Sequence, residues 1–123
     1  MKMMLKKIYS LDTDEPLSTY SPNEPNNFFL SVKLLVGDNY GSDAADLFDM
    51  NICTPKWLLE NCSDNLFPRG FLIMESYNFN ILLDCINGLL SKIEADNWEV
   101  LAEKFNKFAI WEFDNYIIKE QDS

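Results

Sequence analysis

The spacing of the apolar residues changes near the middle of the chain, and this change is the strongest constraint on the fold. Residues 30–36 place Leu or Val at every second position, which is the period of a β-strand with one buried face. Residues 48–52 repeat this alternation after the segment 37–43, which is rich in Gly, Asp and Ser. The two alternating runs therefore predict a β-hairpin.

Beyond residue 53 most of the apolar residues have helical spacing. Residues 54–60 begin with Thr-Pro, which predicts a short helix because Thr is a favoured N-cap and Pro is favoured at the first helical position. Apolar side chains recur every three or four residues over 79–93 and 98–108, and this predicts two amphipathic helices. Asp96, followed three residues later by Glu99, predicts a capping box at the start of the last helix.

Three shorter apolar runs complete the predicted sheet. Residues 3–11 predict a further strand, residues 71–74 a central strand, and residues 109–114 a return to the sheet. Residues 12–27 contain three of the five prolines and predict a long surface loop. Because the strands come mostly before the helices, we predict that residues 1–123 form one α+β domain. It should have an antiparallel sheet of about four to five strands, with two or three helices packed on one face.

The composition argues against several classes of function. Twenty Asp and Glu against ten Lys and Arg give a net charge of −10, which disfavours a surface for nucleic acid. The chain has no His, the commonest general base and metal ligand, and its three Cys show neither a zinc nor a disulfide pattern. No apolar run approaches the ~20 residues of a membrane span, and no signal-peptide core follows the basic N-terminus. We therefore expect a cytoplasmic protein without cofactor, nucleic acid or membrane.

The charge is distributed unevenly along the chain. Residues 1–10 carry three Lys and no acid (+3), residues 11–50 carry eight acids and one Lys (−7), and residues 51–123 carry twelve acids and six bases (−6). We predict that the dense acids of the second segment form a solvated or partner-facing surface, with neighbouring tyrosines as candidate anchors or half-buried packing residues. A calcium loop is not indicated, because Tyr40 occupies a ligand position of that motif. The candidate partner-binding residues are Asp12, Asp14, Glu15, Tyr20, Asp38, Tyr40, Asp43, Asp46 and Asp49.

One motif gives a more specific indication. Residues 53–58 read Cys-Thr-Pro-Lys-Trp-Leu and precede the apolar run at 71–75 and the two amphipathic segments, and Trp98-Glu99 and Trp111-Glu112-Phe113 follow. Together these features resemble the immunity protein 8 family of bacterial polymorphic toxin systems, over residues 20–116. The resemblance implies a cytoplasmic antidote that binds and blocks a cognate toxin domain. It implies no catalytic residues and no cofactor.

The acidic charge suits such a role, because a nuclease toxin has a basic substrate cleft. We expect residues 38–49 and the loop 12–27 to cover a basic surface of the toxin. Changing Asp38, Asp43 and Asp46 to Lys should then slow association without disturbing the fold. Two other classes stay open, a small acidic metal-dependent hydrolase and a homo-oligomeric adaptor module. The first predicts activity that depends on Mg²⁺ or Mn²⁺, and the second predicts stable self-association.

Overall fold

A five-stranded sheet lies at the centre of the structure, a computed structural model that describes residues 1–62 and 64–114. Three helices pack around the sheet in this part of the chain, and none of them is long and apolar enough to cross a membrane. In chain order the elements are β1 (Met3–Tyr9), β2 (Phe29–Asp38), β3 (Ala45–Cys53), α1 (Pro55–Asn61), β4 (Phe71–Ile73), α2 (Phe79–Ser91), α3 (Trp98–Phe105) and β5 (Ile110–Trp111). This arrangement confirms the predicted α+β class.

The predicted hairpin forms the middle of the sheet. β2 and β3 pair antiparallel, from Phe29 opposite Cys53 to Gly37 opposite Ala45. Every second residue in the first eight positions of β2 is buried, as the alternation predicts. β1 pairs antiparallel with the other side of β2, which confirms the first strand. The predicted long loop connects β1 to β2.

The fourth strand differs from its prediction in position and direction. β4 lies at one end of the strand order β1-β2-β3-β4, so the expectation that residues 71–74 form a central strand is wrong. It also pairs parallel with β3, which makes the sheet mixed. The reason is α1, because a helix between two strands carries the chain back along the sheet and the next strand then runs in the same direction. β5 pairs antiparallel with an earlier part of β3, with Ile110 opposite Asp49.

α2 and α3 cover the face of the sheet that carries the alternating buried residues. They contribute Leu82, Ile86, Leu90, Leu101, Ala102 and Phe105 to the apolar core. α1 lies elsewhere, because its Trp57 ring stacks on Phe29 with 4.6 Å between ring centroids. Phe29 points away from the buried Leu30, since successive strand residues face opposite sides of a sheet. α1 therefore covers one corner of the second face, and only two of the three helices share the first.

The helix starts are set by side-chain caps. Thr54 is the N-cap of α1, as predicted, and its Oγ1 accepts a hydrogen bond from a backbone N–H of the first turn. The capping box predicted for α3 is wrong. Asn97, rather than Asp96, is the N-cap, and its Oδ1 accepts a hydrogen bond from the Val100 N–H at 3.0 Å. Asn is as good a cap as Asp, so sequence alone did not separate the two positions.

Candidate partner-binding surface

The turn between β2 and β3 exposes part of the predicted acidic surface. The Asp38 Oδ1 accepts a hydrogen bond from the Tyr40 N–H at 2.8 Å and so stabilises the turn. The Tyr40 side chain and Asp43 are exposed to solvent. The Lys6 ammonium donates to the Ser42 carbonyl at 2.9 Å. The turn is accessible to a partner, but a cation lies within it and offsets part of its negative charge.

Asp46 belongs to the fold rather than to an open surface. Its Oδ2 accepts hydrogen bonds from the indole N–H groups of Trp98 at 2.8 Å and Trp111 at 3.0 Å. These bonds connect β3 to α3 and β5. A lysine here would replace the acceptor with a further donor beside two N–H groups. The structure therefore corrects the expectation that Asp46 can be changed to Lys without disturbing the fold.

Asp49 lies on the sheet face opposite α2 and α3. Its Oδ1 forms an ion pair with the Lys33 ammonium directly across the hairpin, at 2.6 Å. Half of the Asp49 side chain remains accessible. Because the two charges cancel, the centre of this face presents a neutral pair rather than an isolated carboxylate.

Asp12 and Tyr20 hold the long loop against the rest of the molecule. Asp12 follows the end of β1, and its carboxylate accepts a hydrogen bond from the Ser31 N–H of β2 at 2.9 Å. The Tyr20 ring packs edge-on against Tyr77, with 5.4 Å between ring centroids. The Tyr77 O–H in turn donates to the Leu17 carbonyl at 2.6 Å. Both predicted contact residues thus have a structural role in the loop.

Asp14 and Glu15 lie beside a cleft of about 390 Å³ between the loop and β1. Both carboxylates are exposed. Lys7 and Phe79 line the same cleft, so it combines acidic, basic and apolar groups. These two acids are therefore accessible, but the cleft beside them is not uniformly acidic.

The acidic residues do not form one continuous cluster. Asp12 bonds to Ser31, and Asp38 lies seven residues further along β2. At roughly 3.3 Å per residue, the loop and the turn are separated by about 23 Å along the strand. Asp49 with its Lys33 partner lies between them. The single surface predicted from the sequence thus consists of two separate ends and a nearly neutral centre.

The structure also exposes large apolar residues that the sequence patterns did not single out. Leu59 on α1, and Leu66 and Phe67 in the α1–β4 connection, are exposed to solvent. All seven residues of α1 keep part of their surface accessible. The sequence contains a signal for the exposure of Leu66 and Phe67, since they form an apolar pair inside the mostly polar segment 61–70. That segment has no alternating or helical pattern that would bury the pair.

Metal or thiol chemistry would require grouped ligand side chains or an activated cysteine. Within residues 1–62 and 64–114, no group of three or more Cys, Asp and Glu side chains is placed to hold a metal ion. Burial, followed by the neighbouring Cys62, raises the pKa of the Cys53 thiol. A raised pKa keeps this thiol protonated, and a protonated thiol is a poor nucleophile.

Comparison with known proteins identifies the family. The chain matches the family described as immunity protein 8 over residues 3–116. No curated protein and no solved structure gives a match. The matched range runs from β1 to beyond β5 and includes the 53–58 motif on which the resemblance was based. Because the match covers far more than half of the sequence, the chain belongs to the immunity protein 8 family, whose members are immunity proteins of toxin systems.

Proposed function

We propose that this chain is a cytoplasmic immunity protein that binds a cognate toxin domain and blocks its activity without catalysing a reaction itself. The observation that carries the proposal is the family match over residues 3–116. The toxin belongs to a polymorphic toxin system or to a contact-dependent growth inhibition system. Inhibition then lasts only while the complex persists, because the chain does not convert the toxin into another product.

The charge of the chain supports a partner with a basic surface. A net charge of −10 attracts such a partner over long distances, and steering of this kind raises association rate constants to about 10⁸ M⁻¹s⁻¹ or more at low salt. Fast capture matters for an antidote, because toxin damage accumulates until the complex has formed. A nuclease is a suitable target, since its substrate cleft binds phosphates and is therefore basic.

Three of the nine predicted contact residues hold the loop or the core together, and these are Asp12, Tyr20 and Asp46. Asp12 nevertheless remains exposed. The other six, which are Asp14, Glu15, Asp38, Tyr40, Asp43 and Asp49, do not hold the loop or the core, and we propose that the acids among them attract the partner at long range rather than form the contact itself.

Co-expression tests the proposal. The toxin is expected to be the variable C-terminal domain of a large secreted protein encoded immediately upstream. That domain alone should arrest growth, whereas its co-expression with this chain should keep cells viable and yield a complex that co-purifies. An unrelated acidic protein of similar size is the control for charge alone, and it should not protect the cells.

Two results would count against the proposal. Growth arrest in the presence of folded, soluble chain would show that the chain does not neutralise this toxin. Protection with a cleaved or modified toxin and without a stable complex would indicate an enzyme instead of a stoichiometric inhibitor.

A further inference from the structure

We infer that the toxin contact is centred on an exposed apolar projection at the α1 end of the sheet. We call it the α1–β4 projection and define it by Leu59, Glu60, Asp64, Leu66 and Phe67. The inference rests on the proposed function and specifies the occupant, which is an apolar pocket with a basic border on the toxin domain.

The projection exposes three large apolar side chains within nine residues. Phe67 is 95% exposed, Leu59 86% and Leu66 46%. Side chains as exposed as those of Phe67 and Leu59 add little to the apolar burial that stabilises the fold. Exposed apolar side chains that form a patch mark interaction sites, and we infer such a patch from the closeness of these three residues in the chain. Interfaces concentrate their binding energy in a few aromatic or charged anchors. Phe67 is therefore the expected anchor.

The chain on either side of the projection is fixed to the rest of the molecule. Trp57 stacks on Phe29 in the first turn of α1. At the other end the Arg69 guanidinium donates three hydrogen bonds to Asn106 and one to Asp114, at 2.8 to 3.0 Å. Anchoring both ends reduces the conformational entropy that the segment loses when a partner binds.

Glu60 and Asp64 lie close to the exposed apolar residues in the chain. One amide, that of Asn27, donates to the Glu60 carboxylate at 2.9 Å and to the Glu24 carboxylate at 3.3 Å, which brings two acids together. Asp64, in the α1–β4 connection, is a third acid and is exposed. The only base on α1 is Lys56. The nearby arginine already has an aspartate as its ion-pair partner. An apolar centre with this border complements a pocket surrounded by Lys or Arg.

The β2–β3 turn is the strongest rival surface. Tyr40 is 69% exposed there and lies between Asp38 and Asp43 in the sequence. Its aromatic ring is, however, accompanied only by small and polar turn residues. The Lys6 ammonium, bonded to the Ser42 carbonyl, also weakens the acidic field of the turn. The α1–β4 projection is favoured because it offers three apolar side chains and an acidic border.

Phe67→Ala tests the anchor, with Tyr40→Ala as the matched control for the loss of an exposed aromatic ring. The probe is the toxin domain recovered from the co-purified complex by denaturation and refolding. We expect Phe67→Ala to raise Kd by about thirtyfold or more, and Tyr40→Ala to change it by less than about threefold. Both variants should keep the wild-type urea midpoint, because neither side chain is buried.

Asp64→Lys and Asp43→Lys test the acidic border at equal net charge. Both residues are exposed, and neither carboxylate accepts a hydrogen bond from the part of the chain that the structure describes. Asp64→Lys should lower the association rate constant by about fivefold more than Asp43→Lys does. Equal effects of the two reversals would overturn the acidic border.

The outcomes separate this inference from the function on which it rests. If the wild-type chain binds the toxin domain and Phe67→Ala binds equally well, the inference is wrong and the proposed function stands. A larger loss in Tyr40→Ala would move the contact to the β2–β3 turn. If the wild-type chain does not bind the refolded toxin domain, the proposed function fails and the inference fails with it.

Discussion

Asp46 shows how a single carboxylate can connect three elements of the fold. Two indole N–H groups, from Trp98 and Trp111, donate to the same oxygen of its side chain. Trp111 is buried, so its N–H has little access to water as a replacement acceptor. A buried donor left without an acceptor lowers the free energy of unfolding.

Asp46→Ala should therefore lower the free energy of unfolding by about 2 to 4 kcal/mol, measured by urea denaturation with tryptophan fluorescence. Asp46→Asn should lose less, because one amide oxygen can occupy the acceptor position. Asp43→Ala in the exposed turn is the control, and it should stay within about 0.5 kcal/mol of the wild type. A wild-type urea midpoint for Asp46→Ala would show that these two hydrogen bonds do not stabilise the fold.

At the scale of elements, Tyr77 fixes the long loop between β1 and β2. Its O–H donates to the Leu17 carbonyl at 2.6 Å, and its backbone N–H donates to the Pro25 carbonyl at 2.8 Å. Burial is the main cause that raises the pKa of Tyr77 to about 12, and the charges of Tyr20 and Glu15 contribute further. The phenol therefore remains a hydrogen-bond donor across the physiological pH range.

The raised pKa gives a pH-dependent prediction. Tyr77 ionises near pH 10 in the unfolded chain and near pH 12 in the folded chain, so its contribution to stability is complete below pH 10 and is lost as the pH rises towards 12. Tyr77→Phe should lower the free energy of unfolding by about 1 kcal/mol at pH 8. The difference between wild type and variant should shrink above pH 10.

Urea denaturation at pH 8, 10 and 11 measures that difference. Tyr40→Phe, at an exposed position, is the control and should leave the denaturation curve at pH 8 unchanged. A wild-type advantage over Tyr77→Phe that stays constant up to pH 11 would contradict the assigned burial effect.

At the scale of the whole molecule, the charges are segregated. The three lysines of the first ten residues lie at or beside β1, an edge strand, where lysines discourage pairing with another chain. In the sequence after residue 10, twenty acids stand against seven bases. A partner with a basic surface is thus attracted to the parts of the molecule away from β1.

Association with the toxin domain should therefore depend on salt. Raising ionic strength from about 10 mM to about 150 mM shortens the screening length from roughly 30 Å to roughly 8 Å. We expect the association rate constant, measured by stopped-flow fluorescence, to fall by about tenfold or more. The dissociation rate constant is the internal control and should change by less than about threefold. Association that is independent of salt would exclude electrostatic steering.

The sequence by itself determined the local structure and the family. The alternation in residues 30–36 and 48–52 predicted the hairpin, and Thr54 predicted the start of α1, because these signals depend on neighbours in the chain. The 53–58 motif indicated the family that the match over residues 3–116 then showed. Alternation, the Thr54 cap and the motif were sufficient for these conclusions, since each is a property of the chain before it folds, whereas the choice between Asp96 and Asn97 as the cap of α3 was not decided locally.

Only the tertiary structure decided which residues could serve a partner. Nothing local to Asp46 indicates that two indole groups 52 and 65 residues away would use its carboxylate. Likewise, Phe67 is exposed whereas Phe105, which is the same residue type, is buried in the core. The difference depends on which residues the rest of the chain brings near each ring. A residue's contacts across the fold, and not its type, fix whether it stabilises the protein or remains accessible, because burial and hydrogen bonding are completed by distant segments.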